Sequence, residues 1–151
     1  MIFAMKRKTP LLLAALASLA STAFSDPVKV SLTNDDATAL YAALDSLKPG
    51  LSPDNTGLVA LDLNALRPVA SAHDRSLVEF QTSVSELQSS SDPKRDDKIL
   101  ASSRSFAAFG SRKIIVDLEP LVISKEEMKP AQVSGHALSL ILEFLSPPPK
   151  K

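Results

Sequence analysis

From Val28 onward the polarity of the chain alternates. Val28, Val30 and Leu32 are apolar and Lys29 and Ser31 polar, which is the period of a strand with one buried face. The period then lengthens to that of a helix. Thr33-Asn34-Asp35-Asp36 supplies a capping hydroxyl with an acid three residues later, and both acids suit the positive end of a helix dipole. This first helix carries Leu40, Tyr41, Leu44 and Leu47 on one side and runs to about Lys48. Pro49-Gly50 stops it, and a loop is expected to continue through Pro53-Asp54-Asn55.

Between Gly57 and Leu87 the inward positions are Val59, Leu63, Leu66, Ala70, His73, Leu77, Phe80, Val84 and Leu87. Steps of three and four hold throughout, so the set fits a heptad register without a slip. Pro68 lies inside this stretch, where an interior proline costs about 3 kcal/mol through a lost hydrogen bond and a clash with the carbonyl four residues back. The register survives it. The stretch is therefore either one kinked helix, favoured because no turn residues flank the proline, or two nearly coaxial pieces with the second starting at Pro68.

Ser89-Ser90-Ser91 punctuates the chain, and Asp92-Pro93 is a helix start. A third helix with Ile99, Leu100, Phe106 and Phe109 follows and ends at Gly110, in the place glycine usually takes after a helix. Packed antiparallel to the long stretch, it makes a helical hairpin. Lys113 to Ile123, KIIVDLEPLVI, is dense in β-branched residues and reads as a strand, with Pro120 making its second half an edge or a bend. Ser124-Lys125-Glu126-Glu127 is a further capping box. The last helix is expected over about Ala131 to Leu145, with Val133, Ala137, Leu138, Ile141, Leu142 and Leu145 apolar, before an extended Pro/Lys tail at 147–151.

These elements predict an α+β fold, mostly α. A two-stranded antiparallel sheet from residues 27–32 and 113–123 accompanies a long kinked helical hairpin and a C-terminal helix, in one domain spanning 26–146. No internal repeat is visible.

The first 25 residues differ in kind from the rest. Lys6-Arg7-Lys8 precedes an apolar run from Leu11 to Ala20, and Ala23 and Ser25 are small residues three and one places before Asp26. This is the pattern of a cleavable secretory leader with its cut after Ser25, and the run is well short of the roughly 20 residues that span a bilayer. The expected product is exported, periplasmic or secreted and bacterial, with no stable membrane span after cleavage. The chain has no cysteine, which excludes disulfides and a thioether lipid anchor.

Without its three leader cations the chain carries a net charge of about −3, and its closest approach to a basic cluster is Arg112-Lys113. No case for nucleic-acid binding follows. Tyr41, Phe80, Phe106, Phe109 and Phe144 are the only aromatics after the leader, too few for a carbohydrate or single-strand stacking platform.

Chemistry near neutral pH falls to two histidines. His73 occupies an inward register position beside Asp74, but neighbours one apart on a helix diverge, so adjacency is not pairing. His136, in SGHALSL, has no acid or histidine three or four residues away. There is no convergent metal-ligand pattern, no Gly-x-Ser-x-Gly elbow and no phosphate-cradling glycine loop. The acid pairs Asp35-Asp36 and Glu126-Glu127 read as first-turn helix acids and Asp96-Asp97 as a solvated face. No catalytic, cofactor or metal site is expected.

The leading reading is a noncatalytic exported module whose stripe from Val59 to Leu87 packs internally and offers self-association or a protein partner the same helix. The alternatives are a small periplasmic enzyme or ligand binder built around His73, and a phage-derived structural or assembly protein.

The last alternative has its own basis. The succession of NDDATALYAALDSL, LVALDLNALRPVASAHDRSLVEFQTSVSEL, KIIVDLEPL and AQVSGHALSLILEF, with Asn64-Ala65-Leu66-Arg67-Pro68 in its middle, resembles a family of small uncharacterised phage proteins encoded near tail genes. The resemblance covers most of the chain after the leader. It implies a central helical hairpin framed by a short sheet and a C-terminal helix, and brings no catalytic residues. The leader is a departure from it.

Expression of the full chain in a bacterial host with a general secretion system tests the leader. Intact-mass analysis of the exported protein is expected to give a chain beginning at Asp26, and a product retaining Met1 contradicts the reading.

Overall fold

A computed structural model describes residues 26–129 and 133–146. The leader, the Pro/Lys tail and the expected helix start at Ala131 lie outside the described residues. The fold is α+β and mostly helical: β1 (Val28–Thr33), α1 (Asn34–Leu47), a 3₁₀ turn (Lys48–Gly50), α2 (Pro53–Gln88), α3 (Arg95–Gly110), β2 (Lys113–Leu118), α4 (Lys125–Met128), α5 (Gly135–Leu140) and a π-helical turn (Ile141–Leu145).

β1 and β2 pair antiparallel, from Val28 opposite Leu118 to Thr33 opposite Lys113. The alternation seen in the sequence sets the faces. Val30, Leu32 and Leu118 point inward, while Lys29 and Asp117 form an ion pair at 3.0 Å on the outer face. The core lies between the sheet, α1, the first half of α2 and the α5–π segment. Leucine dominates it, with Leu40, Leu44 and Leu66 wholly out of solvent.

Five boundaries differ from the sequence-based expectation, one of them the start of α3, which lies at Arg95 with no side-chain cap rather than at Asp92-Pro93. α2 begins at Pro53, not after a loop, because the Ser52 side chain accepts from the Asn55 N–H and Pro53 takes the first helical position, where its missing donor is harmless. The helix then runs unbroken for 36 residues through Pro68, which excludes two coaxial pieces. Pro68 and Asn64, whose carbonyl loses its partner, are both exposed, so water can satisfy that oxygen.

β2 ends at Leu118, five residues before the expected limit. The Glu119 N–H is taken by Asp62, Pro120 has no N–H, and the Leu121 N–H donates to Leu145 at 2.7 Å. Gly110 is the last residue of α3 rather than its left-handed terminator, and no residue among those described has positive φ. The final helix is shorter than expected. Ser134 caps α5 by accepting from Ala137, and the last turn widens to π geometry.

Among the described residues three polar ones are buried, and each ties distant segments together. The Asn34 amide donates to the Phe109 carbonyl at 2.8 Å. The Asn55 amide donates to the Val122 carbonyl at 3.0 Å and to Glu127 at 2.9 Å. Asp62, 1% exposed, accepts from the Glu119 N–H at 2.6 Å. Its second oxygen is out of solvent and has no hydrogen-bond partner. Burial pushes the Asp62 carboxyl up to about 7 despite that hydrogen bond.

Glu127 is the converse case. It accepts from the Ser52 and Ser124 N–H groups and the Asn55 amide, which hold it well below the usual carboxylate range.

The two acids impose opposite pH dependences. A carboxyl raised on folding stabilises the fold fully below its unfolded pKa, and that contribution is lost as pH climbs toward the folded value, here from about 4 to about 7. Every tenfold difference in proton affinity between the folded and unfolded chain corresponds to about 1.4 kcal/mol. A lowered carboxyl stabilises above its unfolded pKa and loses that contribution on acidification. Urea unfolding of Asp62→Asn across the same pH range is expected to show a flatter profile than the parent. Parallel profiles would mean that Asp62 ionises freely.

Candidate functional site

The first turn of α1 is where four helices meet. Thr33 caps it, its hydroxyl accepting from the Asp36 N–H at 3.0 Å and donating to the Asp36 carboxylate at 2.7 Å. Beyond Asn34, whose N–H also donates to the Arg112 carbonyl at 3.0 Å, stand the two acids. Each takes a histidine. His73 Nε2 of α2 lies 3.2 Å from Asp35 Oδ1, and His136 Nε2 of α5 lies 3.2 Å from Asp36 Oδ1.

Asp35 reaches His73 because Gly110 of α3 has no side chain. A Cβ on Gly110 would sit well inside van der Waals contact with the Asp35 carboxylate. The imidazole of His73 is tilted against Phe106 and Phe109, with ring centroids 5.6 and 6.4 Å away. Its Nδ1 is out of solvent and unpartnered. With Nε2–H donating to Asp35, Nδ1 is left as an acceptor with no donor facing it.

The two pairs do not converge. His73 and His136 bind different carboxylates, and no group of three metal-binding side chains occurs among the described residues. Among the described residues no group is hydrogen-bonded to Nδ1. What the geometry does is fasten α2 and α5 to the start of α1.

His136, with no acid three or four residues away, takes its partner from α1, and the partner of His73 is Asp35, not the adjacent Asp74. The sequence pattern could not find either pair, because the partners lie 38 and 100 positions apart.

The stripe along α2 divides at Ala70. Val59, Leu63, Leu66 and Ala70 are buried in the core, each at most 5% exposed. His73, Leu77, Phe80, Val84 and Leu87 are half-buried, and from Ser71 to Phe109 no residue is fully covered. This outer half packs on α3, with Phe80 stacked on Phe106 at 5.1 Å and 9°. Ser76, Ser83, Ser102, Ser105 and Glu79 surround that ring pair in a hollow of about 250 Å³. Val78 is 60% and Leu100 49% exposed on the same hairpin.

No family model, no curated protein and no solved structure matches the chain. None of the described helices is long and apolar enough to cross a membrane.

Gly110 carries a sharp test of the node. Replacing glycine by alanine near a helix end ordinarily gains up to about 1 kcal/mol. Here Gly110→Ala is expected to lose about 1 kcal/mol in urea unfolding, because Asp35 must leave His73. In an Asp35→Ala background the same change is expected to stabilise. Equal effects in both backgrounds would show that Gly110 and Asp35 are not coupled.

Proposed function

We propose that this chain is an exported, noncatalytic interaction module in which the outer half of the α2–α3 hairpin receives a second copy. One observation carries the reading: the seam of the hairpin is apolar, yet from Ser71 to Phe109 nothing is fully buried. Two helices cannot cover a seam between them on both sides. A second hairpin laid against the first would enclose Leu77, Phe80, Val84, Ile99 and Phe106 as a four-helix arrangement does. The leader pattern supports export. The His73 imidazole, held by Asp35 through Nε2, supports a fastening role.

Light scattering coupled to size exclusion at neutral pH tests this. The purified protein is expected to have twice the mass of one chain. Val78→Glu with Leu100→Glu, both at exposed positions, is expected to give a folded monomer whose melting temperature no longer rises with protein concentration. A monomer for the parent at every concentration refutes the reading.

A further inference from the structure

A hollow of about 290 Å³ opens on the opposite end of the molecule from the hairpin turn, between the end of α1, α4 and the α5–π segment. Leu47, Met128, Val133, Leu138 and Ile141 make its apolar lining, and Lys125 and Lys129, one helical turn apart, stand at it as its only charged residues among those described. The acids nearby are otherwise engaged. Glu126 pairs with Lys129 at 2.5 Å in an exposed contact. Glu127 directs both oxygens to Ser52, Asn55 and Ser124. No acid lies within ion-pair distance of Lys125 among the described residues.

We infer that this hollow binds a single-chain anionic amphiphile, a free fatty carboxylate, with its chain against Met128, Val133, Leu138 and Ile141 and its head group at Lys125 and Lys129. Size, surface and charge agree on that class. The volume is at the small end of the range for small-molecule sites, about 300–1,000 Å³, which suits one medium-length chain rather than a two-chain lipid. Burying each methylene contributes about 0.8 kcal/mol, so an apolar lining alone holds the tail. The ammonium groups then select the sign of the head, Lys125 directly and Lys129 by exchanging an exposed carboxylate for the ligand's.

Two features make this more than an apolar dent. The turn that presents the lysines is pinned to the start of α2 through the Glu127 contacts with Ser52 and Asn55, so the backbone that carries both charges is fixed at the mouth of the hollow. The lining also begins the π-helical turn at Ile141, and π segments recur at binding sites because the widened turn re-aims side chains. Met128 contributes an unbranched, adaptable side chain.

Met128 is the one methionine after the leader and lines the hollow, so methyl-labelled methionine gives a local reporter in the chain that begins at Asp26. Titration with sodium decanoate below its micelle concentration is expected to move the Met128 methyl resonance to saturation. Decyltrimethylammonium, with the same chain and opposite head, is expected to leave it in place. Lys125→Gln with Lys129→Gln is expected to weaken decanoate about tenfold, a change of about 1.4 kcal/mol, at unchanged melting temperature and with decanol binding unaltered. No saturable shift, equal binding of the cationic amphiphile, or undiminished decanoate binding by the lysine variant each overturns the proposal. Sedimentation with anionic vesicles in the absence of any decanoate response also overturns it, since that result describes a membrane surface and not a ligand site.

Discussion

The rest of this structure depends on one mismatch of length. α2 has 36 residues and so extends about 54 Å, whereas α1, its main partner in the core, has 14 and extends about 21 Å. Only the first half of the long helix can therefore be sealed, and it is: Val59, Leu63 and Leu66 are at most 2% exposed. The second half must find its cover elsewhere. α3 folds back along it and supplies one side, leaving the other side open. The division of the molecule into a leucine core and a hairpin with no fully buried residue follows from this inequality.

Hydrophobic burial brings these elements together, but it does not say which strand end meets which helix turn. That selection falls to Asn34, Asn55 and Asp62. Each is a buried polar residue that bonds a backbone group far away in the chain, the Phe109 carbonyl, the Val122 carbonyl or the Glu119 N–H, and losing that bond adds a desolvation cost. A slipped arrangement would keep most of the leucine contacts and lose all three bonds. The apolar core sets the scale of stability and the three polar contacts set the alignment.

Much of this was legible from periodicity and local chemistry. The alternation at Val28–Leu32, the Thr33 cap, the unbroken heptad steps through Pro68 and the Ser124 capping box all describe structure that is decided within a few residues. What escaped was decided by groups far apart in the chain. Pro53-Asp54-Asn55 has the composition of a loop, and only the cap from Ser52 and the reach of Asn55 to Val122 make it a helix start. Gly110 looks like a terminator, yet its smallness serves Asp35. The Asp35-Asp36 pair reads fully as dipole chemistry, which hid two histidine partners. As for the hollow beside Met128, its lining comes from three separated segments, and no local pattern announces it.

The pairing of β1 with β2 has a kinetic meaning. Thr33 and Lys113 are adjacent in the sheet, yet all of α1, α2 and α3 lies between them in the chain, and closing a flexible segment of that length is entropically costly before any contact rewards it. The hairpin removes most of the cost. α2 and α3 meet across a short turn, so they can zip from Ser89 inward using contacts close in sequence, and once formed they carry Arg112 back along α2 to within hydrogen-bond reach of Asn34. The part of the molecule that contributes nothing fully buried is thus the part that shortens the search, a guide rail on which the second strand is delivered to the first.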